Sequence, residues 1–194
     1  MIALLLAAAE PPMTAIDAER AFVADAQKLG QWTAFRKYAA DDAVMFVPQQ
    51  VNVQAFLKDK ADPPVSVYWW PGRSYVSCDG SYAVNTGPWV RQWGKSVGYF
   101  TTVWRRQADG GWKWIYDSGD SLETARAEGG DIKAKVASCD GKPSGMPHAQ
   151  LSDDKSMARV SLTGPGQYRT FYVFLWNGSG YDGVVDDQIG TPAP

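Results

Sequence analysis

Asp117 is the acidic residue that the sequence places best for chemistry. Residues 97–117 predict two antiparallel strands, because β-branched and aromatic residues flank an Asp-Gly-Gly turn at 108–111 that tolerates positive φ. If Gln107 pairs with Trp112, the alternation of side chains puts five residues on one face: Phe100, Thr102, Trp104, Ile115 and Asp117. Aromatic neighbours would raise the pKa of the Asp117 carboxyl, so that it could act as a general base or orient a ligand hydroxyl. The alternative is that Asp117 only accepts hydrogen bonds at a strand end.

The opposite face of the same hairpin is equally apolar. It carries Tyr99, Thr101, Val103, Trp114 and Tyr116. Because neither face is polar enough to stand in water, we expect one to cover a helix or pocket and the other to meet a second layer or a partner chain.

Other residues offer less specific chemistry. Tyr38, beside the apolar stripe of a predicted helix, is the candidate proton donor to accompany Asp117. His148, the single histidine, lies in a loop rich in proline and glycine, so no zinc site is predicted. The sequence has no nucleophile elbow, phosphate-binding loop or dinucleotide fingerprint, so no metal or cofactor is expected.

Composition indicates a globular protein. The chain has 194 residues, 45% of them hydrophobic and 21% charged, which is enough for one core and an appendage. A net charge of −2 gives no long-range attraction for nucleic acid or an anionic membrane. The nine tryptophans either fill a β-rich core or line an apolar ligand cavity.

The first residues predict export. Residues 1–12 contain an apolar run, a small Ala-Ala-Ala site and a proline break, as at the end of a signal peptide, and they are too short for a membrane span. We therefore expect a periplasmic or secreted protein. The alternative is a leader before a true start at Met13, with a cytoplasmic location.

Two cysteines bear on the same question. In an oxidising compartment Cys78 and Cys139 could form one disulfide, which would close a loop of about 60 residues and contribute roughly 4 kcal/mol. In a reducing compartment they would be two ordinary thiols.

The order of elements predicts an α+β fold. Two helices come first, at 15–29 and 31–40, and Glu19 falls outside the apolar stripe of the first. A strand at 43–47, a helix at 53–60 and a hairpin of 73–78 with 81–90 follow. Helices followed by a strongly bent antiparallel sheet are typical of the α+β class. Residues 126–194 read as a β-rich extension, either a small subdomain packed on the core or strands added to its sheet.

Residues 14–120 resemble a known superfamily. The resemblance rests on the segments AFVADAQKLGQWTAFRKYAADDAVMFVP, VYWWPGRSYVSCDGSYAVNTGPWV and GYFTTVWRRQADGGWKWIYDSG. Their spacing is similar to the nuclear transport factor 2-like superfamily, and within it to the DUF4440 or SnoaL-like group. The resemblance implies a cone-shaped, cystatin-like domain over residues 13–125, whose curved sheet wraps a helix around an apolar pocket, often with dimerisation through the outer sheet face.

The resemblance also bears on catalysis. Isomerases and cyclases of this superfamily place a carboxylate or histidine and a tyrosine donor inside the cone. Here the first helix presents Phe22 and Val23 instead of a tyrosine, and the core strands carry no histidine. This departure weighs against isomerase or cyclase activity, and the sequence leaves open whether the protein is an enzyme. If it is one, it should be an isomerase, cyclase or lyase that uses Asp117 and Tyr38.

Three functions are compatible with these observations. The first is binding of a small apolar or aromatic molecule in a pocket lined by Trp32, Phe35, Tyr38, Trp69, Trp89, Phe100, Thr102, Trp104 and Asp117. The second is general acid/base catalysis by Asp117. The third is a homodimeric interaction module that uses the face containing Tyr99, Trp114 and Tyr116.

Overall fold

The structure is a computed structural model that describes residues 14–124, 126, 130–164 and 168–190. The predicted leader at 1–12 and the alternative start at Met13 lie outside these residues. Among the described residues, no helix is long and apolar enough to cross a bilayer.

Two helices open the described chain. Helix α1 (Ala15–Leu29) begins at Thr14, whose side chain accepts a hydrogen bond from the Asp17 N–H at 3.1 Å. Gly30, with φ of 109°, separates it from α2 (Gln31–Tyr38). Helix α2 ends two residues before the predicted end, because the chain enters its first strand at Ala39.

The described strands before residue 140 form one curved sheet. They are β1 (Ala39–Phe46), β2 (Gln50–Asn52), β3 (Tyr68–Trp69), β4 (Arg73–Val76), β5 (Tyr82–Arg91), β6 (Ser96–Arg106), β7 (Trp112–Leu122) and β8 (Lys133–Val136). Helix α3 (Val53–Leu57) follows β2, and a 3₁₀ turn (Gln92–Gly94) precedes β6.

The strand order is β2-β1-β7-β6-β5-β4-β8, with β3 beside β5. The β1–β7 and β4–β8 pairs are parallel and the others antiparallel. Helices packed on a curved, mostly antiparallel sheet confirm the predicted α+β class.

The central hairpin follows the predicted register only in part. Thr102 lies opposite Asp117 as predicted, but a bulge then shifts the pairing so that Trp104 lies opposite Trp114. Ile115 is the extra residue in this bulge. The assignment of Trp114 to the outer face was therefore wrong: its ring lies on the helix side, 6.3 Å from that of Phe22.

The C-terminal residues build a second layer on the outer face of the main sheet. Strands β9 (Gln150–Leu151), β10 (Met157–Thr163), β11 (Arg169–Trp176) and β12 (Tyr181–Ile189) form a sheet in the order β12-β11-β10-β9. The ring of Tyr116 stacks on Phe171 at 4.3 Å, and the Tyr99 hydroxyl donates to the Gln188 carbonyl at 3.1 Å.

The sequence left open whether the C-terminal extension packs on the core as a subdomain or adds strands to its sheet. Strand β8 joins the edge of the main sheet, whereas β9–β12 pack over it as a separate sheet. The prediction of an exposed interaction face was wrong, because Tyr99 and Tyr116 lie under the second sheet and Trp114 faces the helices. The homodimer stays a prediction.

A disulfide joins the main sheet to the segment that leads into the second sheet. Cys78 and Cys139 are bonded, with 5.3 Å between their Cα atoms. The bond links the end of the β4 segment to the chain just after β8. It is the first of the two alternatives that the sequence left open.

Phe171→Ala tests the contact between the two sheets. Phe171 is 1% exposed and stacks on Tyr116, so its truncation should lower the free energy of unfolding by about 3–5 kcal/mol. Leu162→Ala, on the adjacent β10 but 56% exposed, is the control and should change it by no more than about 0.5 kcal/mol. Denaturant unfolding measures both; equal effects would contradict the packing described here.

Candidate functional site

A cavity of about 220 Å³ is lined by residues of α2, of β1 and of both faces of the main sheet, and by Arg169 of β11. Its walls include Gln31, Met45, Val67 and seven aromatic side chains: Trp32, Phe35, Phe46, Trp69, Trp89, Tyr99 and Phe100. Val47 and Arg91, both exposed, lie at its mouth. The polar residues of the wall include Asp117, Ser118 and Arg169.

The structure brings most of the predicted pocket residues together. Trp32, Phe35, Trp69, Trp89, Phe100 and Asp117 line the cavity. Thr102 and Trp104 lie behind the wall, where their polar atoms hold the carboxylates of Asp117 and Glu19. Whether these residues bind a ligand stays a prediction.

Tyr38, the candidate proton donor, faces away from the cavity. Its hydroxyl donates to Asp25 Oδ2 at 2.9 Å, and its ring packs 5.2 Å from that of Phe22. Burial, together with the hydrogen bond and charge of Asp25, raises the pKa of the Tyr38 phenol above its usual range. The structure thus separates Tyr38 from Asp117, because α2 directs Trp32 and Phe35 towards the cavity instead.

Asp117 stands in the cavity wall with one side-chain partner. Thr102 Oγ1 donates to its Oδ2 at 2.7 Å. The side chain is half-buried and lines the cavity. Burial raises the pKa of the Asp117 carboxyl to about 7, and the Thr102 hydrogen bond opposes this rise only in part.

A second carboxylate, Glu19, lies fully buried beneath the cavity. The indole N–H groups of Trp69 and Trp104 donate to its two oxygens, each at 2.7 Å. The Asn85 side-chain amide donates to Oε2 at 3.3 Å. Burial raises the pKa of the Glu19 carboxyl to about 7; the three hydrogen bonds oppose the rise, and the charge of Asp117 adds to it.

The sequence reasoning missed Glu19. It placed this residue outside the apolar stripe of α1, and that assignment was wrong. A signal was present, because Glu19 lies four residues after Ala15 and three before Phe22, both on the buried face. A carboxylate on such a stripe is buried only when hydrogen-bond donors surround it in the folded protein. Here those donors lie on strands that are distant in the sequence.

The two carboxylates have different roles. Asp117 reaches the cavity and, with a pKa of about 7, can take a proton from a bound molecule and return it near neutral pH. Glu19 is 0% exposed and cannot meet a ligand. It positions Trp69, which donates to Glu19 with its N–H while its ring lines the cavity.

Among the described residues, no group of three or more histidine, cysteine, aspartate or glutamate side chains lies close enough together to hold a metal ion. His148 is exposed in its loop.

Comparison with known proteins returns structural neighbours alone. No protein-family model matches the chain, and no curated protein matches it. A ketosteroid isomerase-like protein from Parabacteroides distasonis is similar with 18% identity and a TM-score of 0.44, over 57% of this chain and 89% of that one. A nuclear transport factor 2-like superfamily protein from Salmonella enterica is similar with 13% identity and a TM-score of 0.41, over 59% of this chain and 94% of that one.

A third neighbour is an NTF2-like protein of unknown function from Shewanella oneidensis. It has 15% identity and a TM-score of 0.41, over 52% of this chain and 91% of that one. These similarities cover 52–59% of the chain at 13–18% identity, and the nuclear transport factor 2-like superfamily stays a prediction from the sequence. The narrower DUF4440 or SnoaL-like group stays a prediction.

Glu19 should make the folded protein less stable as the pH rises. Its pKa is 4.5 ordinarily and about 7 when folded, so the native state holds this proton more tightly. The resulting stabilisation is fully present below pH 4.5 and is lost as the pH rises through 7. Glu19→Gln should remove roughly 3 kcal/mol of the decline in unfolding free energy between about pH 5 and pH 7.5.

Denaturant unfolding across this pH range measures the effect. Glu123→Gln, a change at an exposed glutamate, is the matched control and should leave the wild-type slope intact. A Glu19→Gln slope equal to that of the control would show that Glu19 titrates in its usual range.

Proposed function

We propose that this protein binds a small single-ring aromatic or apolar molecule in the cavity. The volume of about 220 Å³ lies below the roughly 300–1,000 Å³ typical of sites for drug-sized ligands, so it suits one ring better than a fused system. Seven aromatic side chains supply apolar surface on which such a ring can pack.

The observation that carries the proposal is the position of Asp117 in this aromatic wall. Ligand sites are mostly apolar, with a few polar groups that fix the orientation of the ligand. Asp117 is such a group, because it lines the cavity and Thr102 holds one of its oxygens. A ligand hydroxyl or N–H would donate to it.

We also propose export. The apolar leader at 1–12 supports it, as does the Cys78–Cys139 bond, because disulfides persist in oxidising compartments such as the periplasm. On this proposal the ligand is met outside the cytoplasm.

Trp32→Ala tests the binding site with phenol as the probe. Trp32 lines the cavity, so loss of its ring should weaken phenol binding about tenfold or more. Trp93→Ala is the matched control, because Trp93 is 96% exposed and does not line the cavity. This variant should bind phenol with the affinity of the wild type. NMR titration at millimolar phenol gives both constants. Binding that Trp32→Ala leaves unchanged would place the site elsewhere.

Proton transfer by Asp117 is a second candidate function. The pKa of about 7 favours it, because a base works best when its pKa lies near the working pH. The reaction would be an isomerisation, cyclisation or elimination that begins with removal of a proton from carbon. Asp117 would take that proton and later pass it to another atom of the substrate or, in an elimination, to the departing group or to water, without help from Tyr38.

Deuterium exchange into cyclohexanone tests this second function. A base in the cavity should speed incorporation of deuterium from D₂O at the carbon next to the carbonyl. The rate should rise as the pH passes through about 7, since only ionised Asp117 accepts a proton. Asp117→Asn should lose the added rate, whereas Asp120→Asn, outside the cavity wall, should retain it. Exchange at the buffer rate throughout would argue against catalysis.

A further inference from the structure

Arg169 places a positive charge in the cavity wall without a carboxylate partner. Its side chain comes from β11 of the second sheet, lines the cavity, and is 6% exposed. The guanidinium lies 3.8 Å from the ring centroid of Phe46, and Nη1 donates to the Pro48 carbonyl at 3.1 Å. Among the described residues, no carboxylate forms an ion pair with it.

One edge of this guanidinium has no hydrogen-bond partner among the described residues. Nε is buried and has no hydrogen-bond partner, and no group of the described chain accepts from Nη2 either. These two N–H groups point the same way, as the fork that meets both oxygens of a carboxylate. Arginine stays ionised in proteins, so the buried charge and its open donors are costly unless an anion reaches them.

Neither Asp120, whose charge acts on Arg169, nor Asp187 forms an ion pair with Arg169, and each has other partners. Asp120 accepts from the backbone N–H groups of Gly190 and Ser121, each at 2.7 Å. Asp187 pairs with Arg126 at 2.9 Å and accepts from Thr101 at 2.6 Å. This edge of Arg169 is therefore unmatched within the described chain.

We propose that the ligand is an aromatic carboxylate whose carboxylate pairs with Arg169 and whose ring packs on the aromatic wall. This rests on the proposed function, since it specifies what the same cavity binds. Asp117 in the same wall accepts from a hydroxyl or N–H elsewhere on the ring. Arg91 at the mouth adds a second positive charge. The C-terminal sheet thus contributes the recognition group of a cavity otherwise built by the helices and main sheet.

A pair of isosteric probes tests this proposal on the wild-type protein. 4-Hydroxybenzoate and 4-hydroxybenzamide have the same ring and hydroxyl, and differ in charge where Arg169 would bind. Calorimetry should show the carboxylate binding at least about tenfold more tightly than the amide. Amide binding as tight as that of the carboxylate would overturn the assignment of Arg169 yet leave the cavity as a ligand site. If neither probe nor phenol binds, the proposed function fails and this inference fails with it.

Substitutions then locate the effect. Arg169→Gln should abolish the preference for the carboxylate while amide binding persists. Arg159→Gln, a change on the adjacent strand β10 away from the cavity wall, is the control and should keep the preference. Arg169→Lys retains the charge without the fork and should give an intermediate preference, which also covers the case that Arg169→Gln fails to fold. A preference that survives in Arg169→Lys and Arg169→Gln alike would contradict the proposal.

Discussion

The buried carboxylate of Glu19 is the constraint on which the rest of the structure depends. It accepts hydrogen bonds from Trp69 on β3, Trp104 on β6 and Asn85 on β5, so a single side chain ties α1 to three strands. Loss of any partner would leave a buried polar group unsatisfied, at about 1–3 kcal/mol each. Helix α1 can therefore sit on the sheet in one register, and that register fixes Phe22, against which Phe35 and Trp69 pack.

The cavity follows from this arrangement. Trp69 faces Glu19 with its N–H and the cavity with its ring, so the same tryptophan is part of the core and of the wall. The charge of Asp117 contributes to the raised pKa of Glu19, so the titrations of the two carboxyl groups are coupled. Opposite them the second sheet brings Arg169, and the cavity combines an acid, a fixed cation and aromatic surface.

Local patterns predicted a good part of this structure. The Asp-Gly turns and the strand alternation placed Thr102 opposite Asp117, and helical spacing placed Trp32 and Phe35 on one wall. The bulge at Ile115 could not be predicted, because an extra residue leaves no mark on composition and reverses the alternation beyond it.

The predictions that failed concern residues whose partners are distant in the sequence. Glu19 is buried because indole donors lie 50 and 85 residues further along the chain, and no local pattern shows them. The outer sheet face was correctly expected to meet a second layer or a partner. Only the structure shows that residues 150–190 supply that layer and, with it, Arg169.

The most direct test of this account is a carboxyl carbon NMR titration of the protein labelled at aspartate and glutamate. The account predicts two carboxyl resonances that titrate near pH 7, one absent in Glu19→Gln and the other in Asp117→Asn. Each substitution should also lower the titration midpoint of the remaining acid, since the two charges repel. A spectrum in which every carboxyl titrates below about pH 5, the ordinary range, would contradict the buried-carboxylate arrangement on which the fold and the cavity rest.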